Sequence, residues 1–197
     1  MSFKYKLPQG YSIKEIQTAE FAKLWKKPGK KIFNDASMFY NSKEVFSKKE
    51  LLQFKKLREQ FNSEKHFRVN LGLYHNNKFV GWSWGFQETP TIFYMCNSAV
   101  LVGHRKKGLY TCLMKEMLRL ASAQGFSKIY SRHVMTNNDI LIAKLKQGFK
   151  ISSFELSDAF GAMVHLTYYP TKVRNDIMDF RSGLKRPNKK MKRIFSL

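Results

Sequence analysis

The sequence predicts an α+β fold, with a central mixed, twisted β-sheet flanked by helices. Three observations carry that expectation. A basic stretch with helical apolar spacing opens the chain. Period-two strands follow it. Strands and helices then alternate in the order that demands a βαβ crossover.

In "TAEFAKLWKKPGKKIF", Phe21, Leu24 and Trp25 stand at i, i+3 and i+4, and Pro28-Gly29 predicts the end of that helix. "SKKELLQFKKLREQF" offers Ser47 as an N-cap with Glu50 three residues on, so each side chain can satisfy the other's backbone N–H. Leu51, Phe54, Leu57 and Phe61 then fall at helical spacing. "FRVNLGLYHNNKFVGWSWGF" alternates around Asn76-Asn77, a hairpin signal. Val69, Leu71 and Leu73 share one face; Val80, Trp82 and Trp84 share one on the second strand. "TIFYMCNSAVLV" is more continuously apolar, as a strand buried on both faces should be.

A helix follows with the stripe Leu109, Leu113, Met117 and Leu120, and Gly125 stands where its C-terminal cap belongs. "SKIYSRHVM" reads as a strand. "NNDILIAKLKQGF" reads as a short helix with Asn caps at one end and Gly148 at the other. "KISSFELSDAFGAMVHLTYY" reads as a hairpin turning at Asp158–Gly161. A helix is expected over 171–182, and disorder in the basic "RPNKKMKR". The expected organisation is a single domain over 1–170 with a helical, basic and partly disordered tail over 171–197.

Composition bounds the function. With 43% hydrophobic and 15% aromatic residues in 197, the chain can bury a sizeable core. No segment approaches the ~18 apolar residues of a membrane span, and the N-terminus lacks a signal-like apolar stretch, so a cytoplasmic protein is expected. Cys96 and Cys112 form no CxxC pair, which argues against a disulfide framework and a cysteine-built zinc site; no metal is expected. The net charge of +22 suits polyanions: nucleic acid, an acidic membrane surface or a phosphorylated cofactor. A lysine-rich solvated surface explains it equally well. No aromatic RNA-recognition strand motif is present.

The stretch "VGHRKKGLYTCL" at 102–113 carries the chemistry. It joins a strand to a helix through a glycine-bearing turn. The first N–H groups of a helix have no intrahelical acceptors, and the helix dipole places partial positive charge there. A pyrophosphate fits such a cradle, and Gly108 lets it approach the backbone without a Cβ in the way. G-x-x-x-x-G-K-[ST] is absent, because Leu109 and Tyr110 follow Gly108; G-x-G-x-x-G is absent too.

Val100, Arg105, Gly108 and Tyr110 resemble the V-x(4)-[QR]-x-x-G-x-[GA] motif of the GNAT superfamily of N-acetyltransferases, with Tyr110 replacing the final small residue. Asn137 leading a short helix to Gly148-Phe149, and "FVGWSWG" at 79–85, match further family features in the same order. The resemblance spans about residues 68–169. It implies the GNAT-like acyl-CoA N-acyltransferase fold and acetyl-CoA as co-substrate. Strand 93–101 would be bulged and splayed from strand 128–135. Pantetheine would pair with backbone over Val100, Leu101 and Val102. The turn of Arg105, Lys106, Lys107, Gly108, Leu109, Tyr110 and Thr111 would hold the pyrophosphate, with Asn137 contributing. An amine acceptor, either a small molecule or a peptide or protein amine, would attack the thioester directly.

The resemblance also marks catalytic positions. Lys144 occupies the place of a tyrosine that protonates the departing thiolate in many relatives. Tyr94 occupies the place of a carboxylate base found in some. No Asp or Glu lies within 89–115, and Glu88 is the nearest acid. His133, on the strand across the splay, is a candidate base, since an unperturbed imidazole titrates near ~6.5. His165 and Tyr168 in the last hairpin are lesser candidates. His104, beside the cationic run, should be poorly protonated. Trp82 and Trp84 read as core or slot-wall residues. Two competing readings are a basic nucleic-acid-associated protein, acting on RNA or a ribosomal component, and a catalytically silent CoA-binding module.

Overall fold

The computed structural model describes residues 3–32, 42–60 and 65–196. Seven strands form one sheet in the order β1-β2-β3-β4-β5-β7-β6. They are β1 (Tyr11–Glu15), β2 (Arg68–His75), β3 (Lys78–Thr89), β4 (Ile92–Val100), β5 (Lys128–Val134), β6 (Lys150–Ser157) and β7 (Gly161–Tyr168). Every neighbouring pair is antiparallel except β4 with β5, which α4 (Leu109–Ala123) connects as a crossover. The other helices are α1 (Thr18–Ile32), α2 (Ser42–Val45), α3 (Lys48–Gln60), α5 (Asn138–Lys146), α6 (Lys172–Arg181) and α7 (Lys189–Phe195).

The hairpin turns at Asn76 (φ 47°) and Asn77 (φ 63°), two left-handed residues as a tight turn between twisted strands requires. Alternation along β2 then divides the core. Val69, Leu71 and Leu73 pack with Leu113, Met117 and Ala121 of α4. On the opposite face Trp82 packs with Phe21 of α1, Ile16 and Ala99. The pairing of β2 with β3 shifts register at Leu73/Tyr74. That shift places Val80 in the α4-side core, so it does not share a face with Trp82 as simple alternation implied.

Several expectations change. The first 70 residues, expected to be helical, also supply a strand among the described residues: β1 adds an edge strand to β2, from Tyr11↔His75 to Glu15↔Leu71. Its five residues carry one aliphatic side chain, Ile13, so ladder hydrogen bonds rather than periodicity define it. Helix α1 does not stop at Pro28 but runs to Ile32. Gly29 leaves room for the Trp25 ring, since a Cβ there would lie 2.6 Å from it, and this packing continues the helix past the proline. The reciprocal Ser47–Glu50 cap forms, with Ser47 N–H donating to Glu50 Oε2 at 2.8 Å and Glu50 N–H to Ser47 Oγ at 3.3 Å. Leu51 and Phe54 of that helix are half-buried, Leu57 is exposed, and Phe61 lies outside the described residues.

The basic stretch expected to be disordered contains α7 instead. Asn188 caps it by accepting from Met191 N–H at 2.9 Å, Met191 is buried, and Phe195 packs on Phe180 at 5.3 Å. Apolar side chains at i and i+4 outweigh the surrounding cations. Helix α6 is tied to β6 by the Lys150–Asp179 ion pair. No helix among the described residues is long and apolar enough to cross a membrane.

The sheet opens at its centre. Strands β4 and β5 pair only over Ile92–Tyr94 and Lys128–Tyr130. The β3–β4 register steps from Trp84↔Asn97 to Gly85↔Met95, so Cys96 is an extra, bulged residue. Gly85 is required there: a Cβ would lie 2.5 Å from the Tyr94 carbonyl oxygen. Beyond the bulge β4 and β5 diverge and leave a slot.

Candidate active site

At one end of the slot is the turn after β4. A single 3-10 turn, Val102–His104, leads to Lys106 (φ 60°) and Gly108 (φ 73°), which is the N-cap of α4. Two left-handed residues flanking Lys107 make the backbone concave, and the first N–H groups of α4 face outward from it. A Cβ on Gly103 or Gly108 would meet nothing within 4 Å, so space lies directly over the backbone. Arg105, Lys106 and Lys107 are exposed around the turn.

The side chains are not all where a phosphate ligand would hold them. Arg105 Nε donates to the Val100 carbonyl at 2.9 Å, and its own N–H donates to the Val102 carbonyl at 3.2 Å. One lone pair on each expected pantetheine partner is thus already used. Leu101 N–H continues the ladder to the Val80 carbonyl. Lys107 Nζ reaches Tyr11 Oη at 3.3 Å, and that hydroxyl lies 2.8 Å from His104 Nδ1. Burial, then His75 and Lys107, push the His104 pKa down, in line with the expectation that it is poorly protonated. Thr111 and Leu109 lie in the first turn of α4, the latter buried. Tyr110 turns inward, where burial raises its pKa.

The slot widens into a cavity of about 790 Å³. Tyr110, Asn137, His133 and Lys144 line it together, from α4, the α5 start, β5 and α5. Asn137 stands at the N-cap of α5 but its side chain makes no capping bond. The slot therefore gathers residues far apart in sequence.

Lys144 is the most unusual group. It is 1% exposed, donates to Ser131 Oγ at 2.8 Å, and lies 3.7 Å from Met95 Sδ and over the Phe149 ring at 4.3 Å. No carboxylate pairs with it among the described residues, and burial pulls its pKa down to about 7. Ser131 Oγ also lies 2.9 Å from His133 Nε2. Burial, with the Lys144 charge second, depresses His133 to about 3. The imidazole is thus neutral near neutral pH and shares a hydrogen bond with the Ser131 hydroxyl, which corrects the expectation of an ordinary titration.

Tyr94, expected at the place of a base, is held by its neighbours. It is buried, its hydroxyl accepts from Arg132 Nε at 3.3 Å, and burial raises its pKa. Arg132 also pairs with Glu155 at 3.3 Å, and Glu155 with His165 Nε2 at 2.6 Å. His165 is committed to that pair, and Tyr168 is core against Phe149. Glu88 accepts from Tyr130 Oη. Trp82 is core and donates to Asn97 Oδ1 at 2.8 Å, whereas Trp84 lines the cavity.

Sequence reasoning missed Ser131, Trp25, Phe86, Arg132 and Phe160 at this site. Only Ser131 had a usable signal, standing two residues from His133 and so on the same strand face.

Slot, bulge and cradle together define an acyl-CoA N-acyltransferase fold. The model of the Acetyltransferase (GNAT) family matches residues 13–149, and the chain belongs to that family. Among curated protein sequences no match was found. Solved structures with the same fold include Ard1 from Thermoplasma volcanium, 15% identical, covering 83% of this chain and 99% of that one with a TM-score of 0.58. The ribosomal-protein-S18-alanine N-acetyltransferase from Escherichia coli is 14% identical over 81% of this chain and 93% of its own, with a TM-score of 0.56. YncA from Salmonella typhimurium, a putative acetyltransferase solved with acetyl-CoA, is 13% identical over 83% and 96%, with a TM-score of 0.57.

Proposed function

We propose that this protein transfers acetyl from acetyl-CoA to an amine by direct attack, with Lys144 as its proton-transfer group. The observation that carries this reading is Lys144 itself, dry, unpaired by any described carboxylate and facing the splay through Ser131.

The residues fit the co-substrate. Open space over Gly103 and Gly108 admits phosphate to backbone N–H groups, and Arg105, Lys106 and Lys107 supply the surrounding charge. Acetyl-CoA supplies the activated acetyl thioester. With a pKa of about 7, Lys144 holds both protonation states near neutrality, which suits a group that gives and regains one proton. As ammonium it donates a proton to the departing sulfur. As amine it recovers the proton shed by the acceptor nitrogen, relayed by the Ser131 hydroxyl. While Lys144 is the ammonium, the Ser131 hydroxyl donates to His133; when Lys144 is the amine, the hydroxyl turns to donate to it and takes up the acceptor's proton in exchange. Tyr94, held by Arg132, stays protonated and acts as wall.

Two measurements test this. Acetyl-CoA at a hundredfold excess over Kd should stabilise the fold by about 2.7 kcal/mol, and no thermal shift would remove every CoA-based reading. Thiol release against an amine panel should then be lost in Lys144→Ala. Stabilisation without thiol release from the unaltered chain leaves a CoA-binding module that does not catalyse.

A further inference from the structure

Much of the cavity wall is aromatic. Trp25 from α1, Trp84 and Phe86 from β3, Tyr94 from β4 and Phe160 from the β6–β7 turn all line it. No Asp or Glu lines it among the described residues. Arg132 is its charged floor, and Glu155 already pairs with that guanidinium. Arg68 is different. It stands opposite Phe86 in the sheet, stacks on Trp84 at 4.3 Å and donates Nε to Asn70 Oδ1 at 2.9 Å. It is half-buried, and no carboxylate among the described residues lies within ion-pair distance of it.

From this wall we infer the acceptor class: a primary amine with an aromatic body and a carboxylate, of which a free aromatic α-amino acid is the simplest form. The inference rests on the acetyl-transfer reading above. Aromatic rings bury a flat apolar body and orient it by edge and face contacts. An unpaired guanidinium against such a wall wants a carboxylate, which it holds in a two-pronged geometry. Polycationic amines meet the reverse: no acid on the wall among the described residues, the Arg132 guanidinium in it, the Arg68 guanidinium stacked on Trp84 at its border, and a chain of net charge +22. A cavity of about 790 Å³ takes a single amino acid beside the thioester arm.

The test uses the full chain with acetyl-CoA and measures thiol release for L-phenylalanine, L-tryptophan, 2-phenylethylamine, glycine and spermidine. Binding is read separately, as thermal shift and tryptophan fluorescence in the presence of CoA. The aromatic amino acids should exceed glycine and spermidine in kcat/KM by about 100-fold, from burial of one ring. Phenylalanine should exceed 2-phenylethylamine by about tenfold, and Arg68→Gln should collapse that ratio toward one. Turnover of spermidine above phenylalanine, or an unchanged ratio in Arg68→Gln, overturns the acceptor class and leaves acetyl transfer standing. Binding of phenylalanine without thiol release supports the class and refutes transfer. Neither binding nor turnover of any aromatic amine overturns the class.

Discussion

The two ends of the slot are built from different materials. The cradle at 102–111 is backbone: left-handed Lys106 and Gly108, and the open N–H groups of α4. The far end is side chain: Trp25, Trp84, Phe86, Tyr94 and Phe160, brought in by four separate parts of the chain. Lys144, which donates to Ser131, lines the cavity that Tyr110 and these aromatic side chains share. A backbone site tolerates almost any side chain that leaves its conformation alone. A side-chain site changes its ligand with each substitution. On the proposed reading, one end serves a constant co-substrate and the other sets the acceptor.

Substitution at the junction should have the largest effect. Lys144→Met is expected to lower kcat by roughly 10²–10³-fold while acetyl-CoA still stabilises the fold, read by thiol release and thermal shift side by side. The same variant reports the buried charge. The folded pKa of Lys144, about 7, lies below the unfolded value near ~10.4. Between those values the unfolded state binds more protons, so this group makes the fold more stable as pH rises from about 7 to ~10.4. Lys144→Met should be the more stable chain at pH 6.5, by on the order of 4 kcal/mol, and the gap should close toward pH 10. Urea unfolding of both chains at pH 6.5, 8 and 10 measures it; a constant gap contradicts the buried ammonium.

At the acceptor end, Trp84→Ala should raise the acceptor KM by about 10–50-fold and leave acetyl-CoA affinity alone. A parallel loss of acetyl-CoA binding would show that the two ends are not separable. At the cradle the order reverses. Gly108→Ala meets no clash but keeps a positive φ, so it should cost about 1 kcal/mol of stability. Its Cβ also occupies the phosphate approach, and acetyl-CoA should bind about tenfold more weakly, by calorimetry. Lys107→Gln should do least, about threefold in acetyl-CoA affinity and only at low salt, because an exposed lysine is readily screened.

Legibility followed the same division. Gly108, the Asn76-Asn77 turn and the Ser47–Glu50 cap were readable because each is a short-range backbone demand that a few adjacent residues must meet. Strand β1 was not, because its pairing with β2 comes from more than fifty residues away. Pro28 misled because a local breaker was overruled by Trp25 packing onto Gly29. "RPNKKMKR" misled because its charge hid Met191, whose burial holds α7 in place.

By itself the sequence determined the element order from β2 to β7, the βαβ crossover and the glycine turn before α4, since these follow from hydrophobic period and from where glycine and asparagine must stand. Tertiary structure decided the chemistry. Whether Lys144 is a surface cation or a group near neutrality depends on Phe149, Met95 and Ser131 closing around it. Whether His133 is a base depends first on its burial and then on the lysine two hydrogen bonds away. Desolvation and charge coupling act through space across strands and helices, and the local pattern of one segment carries no record of them.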